Sequence, residues 1–380
     1  MKTVSREFQI FAKPVGSTCN INCSYCYYHG KKSLYPETND LLMADNILEE
    51  YIIQYIQAST ENIINFSWHG GEPLLAGIEF YRKVLRFQIT HKPADKKIIN
   101  GIQTNGTLIN EEWCRFLARE HFLVGISIDG PAEFHDVCRR TKDNRTSWKQ
   151  VYKGYQLLKK HSILPEILCV VNSENVRQPL VIYNFFKQIG AKYITFLPLV
   201  EHEHGSSAGV SRNSVKSEQY GHFLSNIFDE WVEKDIGEIK IQIFEEAART
   251  AFNQEHTLCV FKINCGGVPV VEHNGDFFSC DHFVNREHLL GNIKDHSLTY
   301  FLDSKEQKLF GKAKSLKLPR YCKECEVRTM CNGECPKNRF ILTPDGEPEL
   351  NYLCAGYRYF FNHSRPFVEA IAAAWKNQKG

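Results

Sequence analysis

The chain has 380 residues, of which 43% are hydrophobic and 24% are charged, and its formal net charge is only +2. This composition is ordinary for a globular chain long enough for one large domain and a smaller one, and it gives no indication of nucleic acid or an anionic membrane as a partner. No apolar run approaches the length of a membrane-spanning helix, and residues Met1–Glu7 lack the apolar core and cleavage site of a signal peptide.

Strand-like and helix-like patterns alternate from the N-terminus to Glu233. The predicted strands are Phe8–Val15, Asn62–His69, Ile98–Thr104, Leu123–Asp129, Glu166–Val171 and Tyr193–Val200. The predicted helices are Ala44–Gln57, Ile78–Ile89, Glu111–Glu120, Ser147–His161, Val176–Ile189 and Ser217–Glu233. Six such units predict an α/β fold with a parallel sheet and outer helices. They are too few for a closed eight-unit barrel, and a partial (β/α)6 barrel fits them.

The pattern changes after Gln242, where helical signals become fewer and Cys, Gly and charged residues become more frequent. We therefore predict two domains, residues 1–239 and residues 240–380. The second has too few apolar residues to build a stable core alone, so we expect bound metal clusters to stabilise it.

Fourteen cysteines allow either disulfides or metal ligation. Disulfides require an oxidising compartment and are typical of small, loop-rich secreted chains. This chain is large, has no recognisable export signal, and spaces its cysteines as metal ligands are spaced. The sequence therefore favours metal binding in a reducing and anaerobic cytoplasm.

The group Cys19-x3-Cys23-x2-Cys26 follows the first predicted strand, at the barrel face where the active sites of such folds lie. Thiolates are preferred ligands of iron–sulfur clusters. Three thiolates leave one of the four irons of a [4Fe–4S] cluster open to a substrate or cofactor. This open iron indicates a catalyst and distinguishes the site from that of an electron carrier.

The next strands also end in polar motifs. Gly70-Gly71-Glu72-Pro73 follows the second strand, and its glycines allow close backbone approach to a ligand, although an ordinary turn is the alternative. Ser127 ends the fourth strand. Arg139 follows on the same loop and is suited to holding a carboxylate through two hydrogen bonds, but the residues alone favour a solvated surface cation.

The stretch Cys-Asn-Ile-Asn-Cys-Ser-Tyr-Cys-Tyr-Tyr-His-Gly at residues 19–30 resembles the signature of radical S-adenosylmethionine (SAM) enzymes, and so does Trp-His-Gly-Gly-Glu-Pro at residues 68–73. The resemblance implies SAM as a cofactor on the Cys19, Cys23 and Cys26 cluster. It places the SAM contacts on Tyr25, Gly70, Gly71, Glu72, Ser127, Arg139 and Val200.

Eight further cysteines lie in the C-terminal part, at positions 259, 265, 280, 322, 325, 331, 335 and 354. Eight thiolates suffice for two more [4Fe–4S] clusters, and zinc is the alternative for Cys322-x2-Cys325. Asp281 directly follows one of these cysteines and is either a general base or a solvated residue near a turn. Cys114, Cys138 and Cys169 are left over, and buried free thiols are predicted for Cys114 and Cys169.

The C-terminal arrangement resembles the SPASM extension of peptide-modifying radical SAM enzymes. By that resemblance Cys259, Cys265, Cys280 and Cys335 bind one cluster, and Cys322, Cys325, Cys331 and Cys354 bind the other. The whole chain resembles the anaerobic sulfatase-maturating enzymes. The motifs include IQTNGTLI, FLVGISIDGPAEFH, NGDFFSCDHFV and CKECEVRTMCNGECPKNRF.

The family resemblance implies oxidation of a sulfatase Cys or Ser to Cα-formylglycine. A 5′-deoxyadenosyl radical abstracts a Cβ hydrogen, and Asp281 acts as the base. The implied partners are an unfolded sulfatase polypeptide with a Cys/Ser-x-Pro/Ala-x-Arg motif and a reducing donor of the flavodoxin or ferredoxin type. His69 stands where some family members have Gln and is either a substrate-side group or a packing residue.

Two other functions remain open at this point. Another SPASM peptide modifier, which forms thioethers or matures a peptide cofactor, shares the cluster spacings. Many such enzymes carry an N-terminal recognition module, for which a first strand near residue 8 leaves no room. A non-catalytic iron–sulfur electron-transfer protein is a more remote alternative, because it has no use for an open iron followed by Gly-Gly-Glu-Pro.

Overall fold

The computed structural model describes residue 4 and residues 7–36, 41–203 and 209–378. Its strands, in chain order, are β1 Phe11–Lys13, β2 Ile21–Cys23, β3 Ile63–Trp68, β4 Lys97–Thr104, β5 Leu123–Ser127, β6 Arg139–Thr141, β7 Glu166–Val171, β8 Tyr193–Pro198, β9 Lys240–Ile241, β10 Val270–Glu272, β11 Asp276–Phe278, β12 Leu289–Asn292, β13 Arg339–Ile341 and β14 Leu350–Asn351. Most strands before residue 242 are separated by helices, as a parallel sheet requires.

The helices show which segments cover the sheet. In chain order they are α1 Asp45–Ala58, α2 Ile78–His91, α3 Glu111–Arg119, α4 Ala132–Cys138, α5 Trp148–Lys160, α6 Pro179–Gln188, α7 Ser217–Lys234, α8 Gln242–Arg249, α9 Leu298–Leu302, α10 Lys305–Leu316, α11 Arg320–Lys323, α12 Arg328–Cys331 and α13 Cys354–Asn377. Short 3₁₀ turns lie at His29–Leu34, Pro73–Ala76, Asn175–Arg177, Asp281–Phe283, Arg286–His288 and Pro336–Asn338.

The chain forms two compact units whose segments alternate along the sequence. The first unit comprises residues 1–127, 136–165 and 266–311. Its sheet has the strand order β12-β11-β10-β1-β3-β4-β5. Strands β10, β1, β3, β4 and β5 run parallel, and β10, β11 and β12 form antiparallel hairpins. A segment from late in the chain therefore extends the sheet beside the first strand.

The second unit comprises residues 128–135, 166–265 and 312–380. Its parallel strands lie in the order β7-β8-β9. Helices α7 and α13 pack closely, because Gly221 and Gly356 let their backbones approach. The hairpin β13–β14 lies between the last cysteines.

The predicted elements before residue 235 are confirmed with small changes at their ends. Pro14 cannot donate to a strand partner, and β1 ends before it at Lys13. Helix α6 begins at Pro179, a favourable first position, and the 3₁₀ turn Asn175–Arg177 takes the start of the predicted helix.

The expectation of few helices after Gln242 is wrong for the C-terminus. Helix α13 runs from Cys354 to Asn377. Its buried residues include Tyr357, Phe360 and Phe361, and their spacing is that of one helical face.

No helix in the described ranges is both long and apolar enough to cross a membrane. The absence of a signal peptide rests mainly on residues 1–3, 5 and 6, which lie outside the described residues. The domain boundary at residues 239 and 240 stays a prediction.

Candidate active site

The predicted cluster-binding loop lies directly after β1 in the first unit. Its middle residues form β2, which pairs with β6 so that Cys23 stands opposite Arg139. The Arg139 Nη1 atom lies 3.9 Å from the Cys23 sulfur. The Asn105 side-chain amide lies 3.6 Å from the Cys19 sulfur. The three thiols are therefore held on a loop that main-chain pairing and polar side chains order.

The two glycines after β3 bring a second loop against the cluster-binding loop. Gly71 N donates to Gly16 O, and Glu72 N donates to Thr18 O, both at 2.8 Å. A Cβ atom on Gly71 would lie 1.9 Å from Thr18 O. Gly70 has a φ of 134°, which favours glycine. Only glycine at position 71 therefore allows this backbone contact.

The Glu72 carboxylate is fully buried and is occupied by donors of the protein. One oxygen accepts from Leu74 N and Thr104 Oγ1, and the other accepts from Asn105 N at 2.7 Å. Burial raises its pKa to about 7, although these hydrogen bonds oppose the rise. This geometry gives Glu72 a positioning role in the turn, and its contact with SAM stays a prediction.

The other predicted SAM contacts occupy different places. Ser127 ends β5 and its hydroxyl accepts a 3.2 Å hydrogen bond from Gln103. Arg139 is buried, so the surface-cation alternative is wrong, and its guanidinium lies 5.3 Å from the ring centre of Tyr25. Val200 is buried after β8 in the second unit.

Asp281 lies in the first unit with β1 and the loop of three cysteines. Its Oδ2 accepts a 2.7 Å hydrogen bond from the Tyr27 hydroxyl. Its Oδ1 lies 2.7 Å from Lys13 Nζ, so the two side chains form a buried ion pair. The alternative of a solvated Asp is wrong, since only 12% of the side chain is exposed.

The protonation states of Asp281 and Tyr27 follow from burial and from the charges beside them. Burial raises the pKa of Asp281, but the charge of Lys13, with smaller effects of His282 and His69, outweighs burial and holds the pKa well below its usual range. Burial and the nearby Asp281 raise the pKa of Tyr27. Asp281 is therefore an ionised acceptor, and Tyr27 is a protonated donor.

His69 follows β3, and its ring stacks on Phe11 with 3.9 Å between centroids and 10° between planes. Burial and the positive charge of Lys13 lower its pKa to about 3, although Asp281 opposes them. His69 is therefore neutral and packs against β1. Its role towards a substrate stays a prediction.

Lys13 is itself held by a buried polar layer. It is 1% exposed and its ammonium lies 4.3 Å from the centre of the Tyr28 ring. Tyr28 donates to Glu272, the residue paired with Lys13 across β1 and β10. His273 Nδ1 lies 3.3 Å from the other Glu272 oxygen. These contacts fix the ammonium beside Asp281.

Sequence reasoning missed Lys13 and Tyr27 as parts of the site. One signal was available for Lys13, because a lysine within the apolar run Ile10–Val15 is rarely buried without a partner. Tyr27 had no comparable signal. Its partner Asp281 is 254 positions away in sequence.

The second unit brings four of the C-terminal cysteines together. Cys322, Cys325, Cys331 and Cys354 line one cavity of about 380 Å³, open solvent included. Within the described ranges no three His, Cys, Asp or Glu side chains are placed to share one metal ion. Thiolates of a [4Fe–4S] cluster each bind a different iron and stand farther apart than zinc ligands. Four thiols on one cavity match the Cys₄ donor set of a [4Fe–4S] cluster.

The other C-terminal thiols are divided between the units. Cys259, Cys265 and Cys335 belong to the second unit, and Cys280 belongs to the first. All fourteen cysteines lie in the described ranges, and none of them is in a disulfide. Cys114 and Cys169 are buried, as predicted, and Cys138 is buried too.

Family models divide the chain in the predicted order. The Radical SAM superfamily model matches residues 14–185, and the model of an iron–sulfur cluster-binding (SPASM) domain matches residues 265–326. A serine-type anaerobic sulfatase-maturating enzyme of Bacteroides thetaiotaomicron is 43% identical over 99% of this chain and 94% of its own length. This chain belongs to the anaerobic sulfatase-maturating enzymes. A cysteine-type family member of Clostridium perfringens is 33% identical over 96% of this chain and 98% of its own length.

Solved structures of this family confirm the fold class. The polyhistidine-tagged anSMEcpe with bound AdoMet has a TM-score of 0.87 at 32% identity, covering 97% of this chain and 96% of that one. Native anSMEcpe with AdoMet and the Cp18Cys peptide has the same TM-score, covering 97% and 99%. Streptococcus suis SuiB, at 15% identity and a TM-score of 0.61, shares the fold alone. The fold is thus a partial radical SAM barrel with a C-terminal SPASM domain.

Proposed function

We propose that this enzyme oxidises an active-site Cys or Ser of a sulfatase polypeptide to Cα-formylglycine in a SAM-dependent radical reaction. The observation that carries the proposal is the buried Asp281 carboxylate, held by Lys13 and Tyr27. Lys13 occupies one side of Oδ1 and Tyr27 one side of Oδ2, and each carboxylate oxygen has a further lone pair. An ionised carboxylate of this kind can accept a proton from a substrate thiol or hydroxyl.

The enzyme uses three [4Fe–4S] clusters and SAM, and the donor sets present fit them. Cys19, Cys23 and Cys26 would hold the SAM-binding cluster. We assign the eight C-terminal cysteines to the two auxiliary clusters as the family resemblance implies. When bound, the first cluster and SAM supply the one-electron chemistry that generates a hydrogen-abstracting radical.

The residues around the cluster-binding loop would bind and orient SAM. The Gly70-Gly71-Glu72 turn is bonded to this loop through Gly71 N and Glu72 N, and we assign it to the amino group of SAM by family resemblance. Ser127 and Arg139 are assigned to the polar end of SAM. Tyr25 lies beside Arg139, and Val200 remains an assignment by family resemblance.

The chain itself must remove one proton during the oxidation. The substrate side chain loses a Cβ hydrogen atom, one electron and the proton of its thiol or hydroxyl. Ser gives the aldehyde directly, whereas Cys gives a thioaldehyde that water hydrolyses to formylglycine with release of hydrogen sulfide. Asp281 accepts that proton, and an auxiliary cluster of the SPASM domain is the proposed acceptor of the electron. Lys13 keeps the carboxylate ionised before the reaction, and neutral His69 does not compete for the proton.

The proposed partners follow from the same chemistry. The substrate is an unfolded sulfatase segment with a Cys/Ser-x-Pro/Ala-x-Arg motif, because a residue buried in a folded sulfatase cannot reach Asp281. A flavodoxin- or ferredoxin-type protein supplies the electron that initiates cleavage of SAM. The reducing cytoplasm is the proposed location, which the fourteen free thiols support.

The test is an anaerobic assay of the reconstituted enzyme with SAM, reductant and an unfolded peptide, analysed by mass spectrometry. Conversion of Cys or Ser to formylglycine with equimolar 5′-deoxyadenosine is the expected result. Deoxyadenosine without peptide oxidation would assign the enzyme to another peptide substrate. Absence of SAM cleavage at full iron loading would exclude radical catalysis and favour electron transfer.

Asp281→Asn is expected to lower the rate of formylglycine formation by roughly 100-fold or more, the usual contribution of a general base. Deoxyadenosine should still form, since the substitution leaves the three-cysteine loop unchanged. Asp295→Asn is the matched control, because Asp295 is exposed in the same C-terminal part of the first unit. Equal peptide oxidation by Asp281→Asn and wild type would rule out Asp281 as the base.

A further inference from the structure

Helix α10 carries a lysine that is buried beside the cysteine ligands of the second unit. Lys314 is 1% exposed. Its ammonium donates to Cys259 O at 3.0 Å and to Val260 O at 2.7 Å. An ammonium group is thus fixed against the main chain that carries one of the proposed ligands.

The charge of Lys314 has no carboxylate partner at ion-pair distance. Over residues 7–36, 41–203 and 209–378, no acidic group lies within 4.0 Å of its Nζ atom. Glu334 is the carboxyl group whose charge it feels most, but that group accepts from Asn338 and Asn351. Burying an unpaired charge is costly, so a counter-charge is required.

The cysteines around Lys314 identify that counter-charge. Its ammonium donates to Cys259 O, Cys265 follows on the same segment, and Arg339 joins Lys314 O to the loop that ends at Cys335. These three are the residues of the second unit that we assign to one auxiliary cluster. Four thiolates on a [4Fe–4S] core leave a net negative charge, which complements the ammonium.

A second buried cation holds this arrangement in place. The Arg339 guanidinium donates to Lys314 O at 2.6 Å and to Gly333 O at 2.8 Å. It also donates to Asn332 O and Glu334 O. Arg339 therefore ties the end of α10 to the loop between Cys331 and Cys335, where residues 332–334 all have positive φ.

We propose that Lys314 is a positioning and charge-tuning residue that raises the reduction potential of the auxiliary cluster to which Cys259, Cys265 and Cys335 are assigned. The proposal rests on the ligand assignment of the proposed function. Net charge and hydrogen bonding around a cluster set its potential. A fixed cation stabilises the more negative, reduced state, so this cluster accepts an electron more readily.

The test is an EPR-monitored redox titration of the fully loaded enzyme, with SAM added to identify the signal of the cluster that binds it. Lys314→Met is expected to shift one auxiliary cluster to a more negative potential. The shift should be at least tenfold in the oxidised-to-reduced ratio, or about 59 mV for one electron. Lys312→Met is the matched control, because Lys312 is exposed two positions earlier in the same helix.

Two further variants separate charge from folding. Lys314→Gln keeps a donor for the carbonyls and should show the same negative shift, whereas Lys314→Arg keeps the charge and should retain the wild-type potential. A fully loaded Lys314→Gln enzyme with the wild-type potential would overturn the proposal. Iron loss from both uncharged variants but not from Lys314→Arg would also overturn it and leave a purely structural role.

The potential is measured without a peptide substrate. A shifted potential in an enzyme that forms no formylglycine would therefore support the role of Lys314 while rejecting the proposed function. An unshifted potential in an enzyme that forms formylglycine would reject the role of Lys314 while supporting the proposed function.

Discussion

Gly71 shows how one residue can determine whether a cofactor loop forms. Its missing side chain admits Thr18 O to a place where a Cβ atom would be 1.9 Å away. Gly71→Ala is therefore expected to displace the cluster-binding loop and abolish SAM binding, which equilibrium dialysis with the reconstituted enzyme would measure. Gly30→Ala is the control, because no atom lies within 4 Å of its added Cβ. Wild-type SAM binding by Gly71→Ala would contradict this account of the loop.

Glu72 gives the site a pH dependence that a surface carboxyl would not have. Burial raises its folded-state pKa to about 7, above its value in the unfolded chain. Its stabilising contribution is therefore complete below the unfolded pKa and is lost as pH rises through about 7. The loss should amount to roughly 3–4 kcal/mol, because the pKa rises from 4.5 to about 7 and each pKa unit corresponds to about 1.4 kcal/mol.

The comparison of wild type with Glu72→Gln tests whether the contribution of Glu72 to stability falls as pH rises. The variant loses hydrogen bonds but has no proton to lose, so its Tm should change less between pH 5 and pH 8 than that of wild type. The stability advantage of wild type should therefore shrink as pH rises. A stability advantage of wild type that grows with pH would show that ionisation of the buried Glu72 costs little free energy.

At the scale of elements, α7 and α13 meet through glycine. A Cβ atom on Gly356 would lie 2.0 Å from Ser217 O, and one on Gly221 would lie 2.6 Å from Gly356 O. Gly356→Ala should force the helices apart and cost roughly 1–3 kcal/mol. Because α13 begins at Cys354, the cluster assigned to that cysteine should be lost first.

Thermal unfolding and iron content of the Gly356→Ala enzyme measure both effects. Glu369→Ala on the same helix is the control, since Glu369 is exposed. Unchanged iron content together with a lowered Tm would separate helix packing from cluster binding.

Elements with a clear local period were predictable and the site was only partly so. Helix α5 and strand β7 each show their period within one segment, and the sequence predicts both to within a residue at each end. The Lys13–Asp281 ion pair joins β1 to a turn near the end of the first unit. No local sequence pattern predicts such a pair, because its two residues come together only when β1 pairs with β10 in the folded chain.

At the scale of the whole molecule, the segment of residues 320–351, which contains Cys322, Cys325, Cys331 and Cys335, has little regular structure of its own. Helices α11 and α12 have four residues each, and β13 and β14 have three and two. Elements this short are not stable alone. Removal of the clusters should therefore expose residues 320–351 to rapid hydrogen exchange, while β3 and β4 stay protected.

Hydrogen exchange measured by mass spectrometry, before and after anaerobic reconstitution, checks this expectation. The paired strands β3 and β4 are an internal reference, because their ladder runs over six residue pairs. Equal protection of residues 320–351 with and without clusters would show that side-chain packing alone holds them.

The pairing of β1 with β10 can form only late in the synthesis of the chain. Phe11 can pair with Val270 only after Val270 has been synthesised. A ribosome needs on the order of ten to fifty seconds to translate the intervening chain. During that time one edge of the first strand has no partner, and Lys13 has not yet met Asp281. The nascent barrel is therefore open along β1 until most of the protein has left the exit tunnel, and a chaperone or cluster-delivery protein has that interval in which to act.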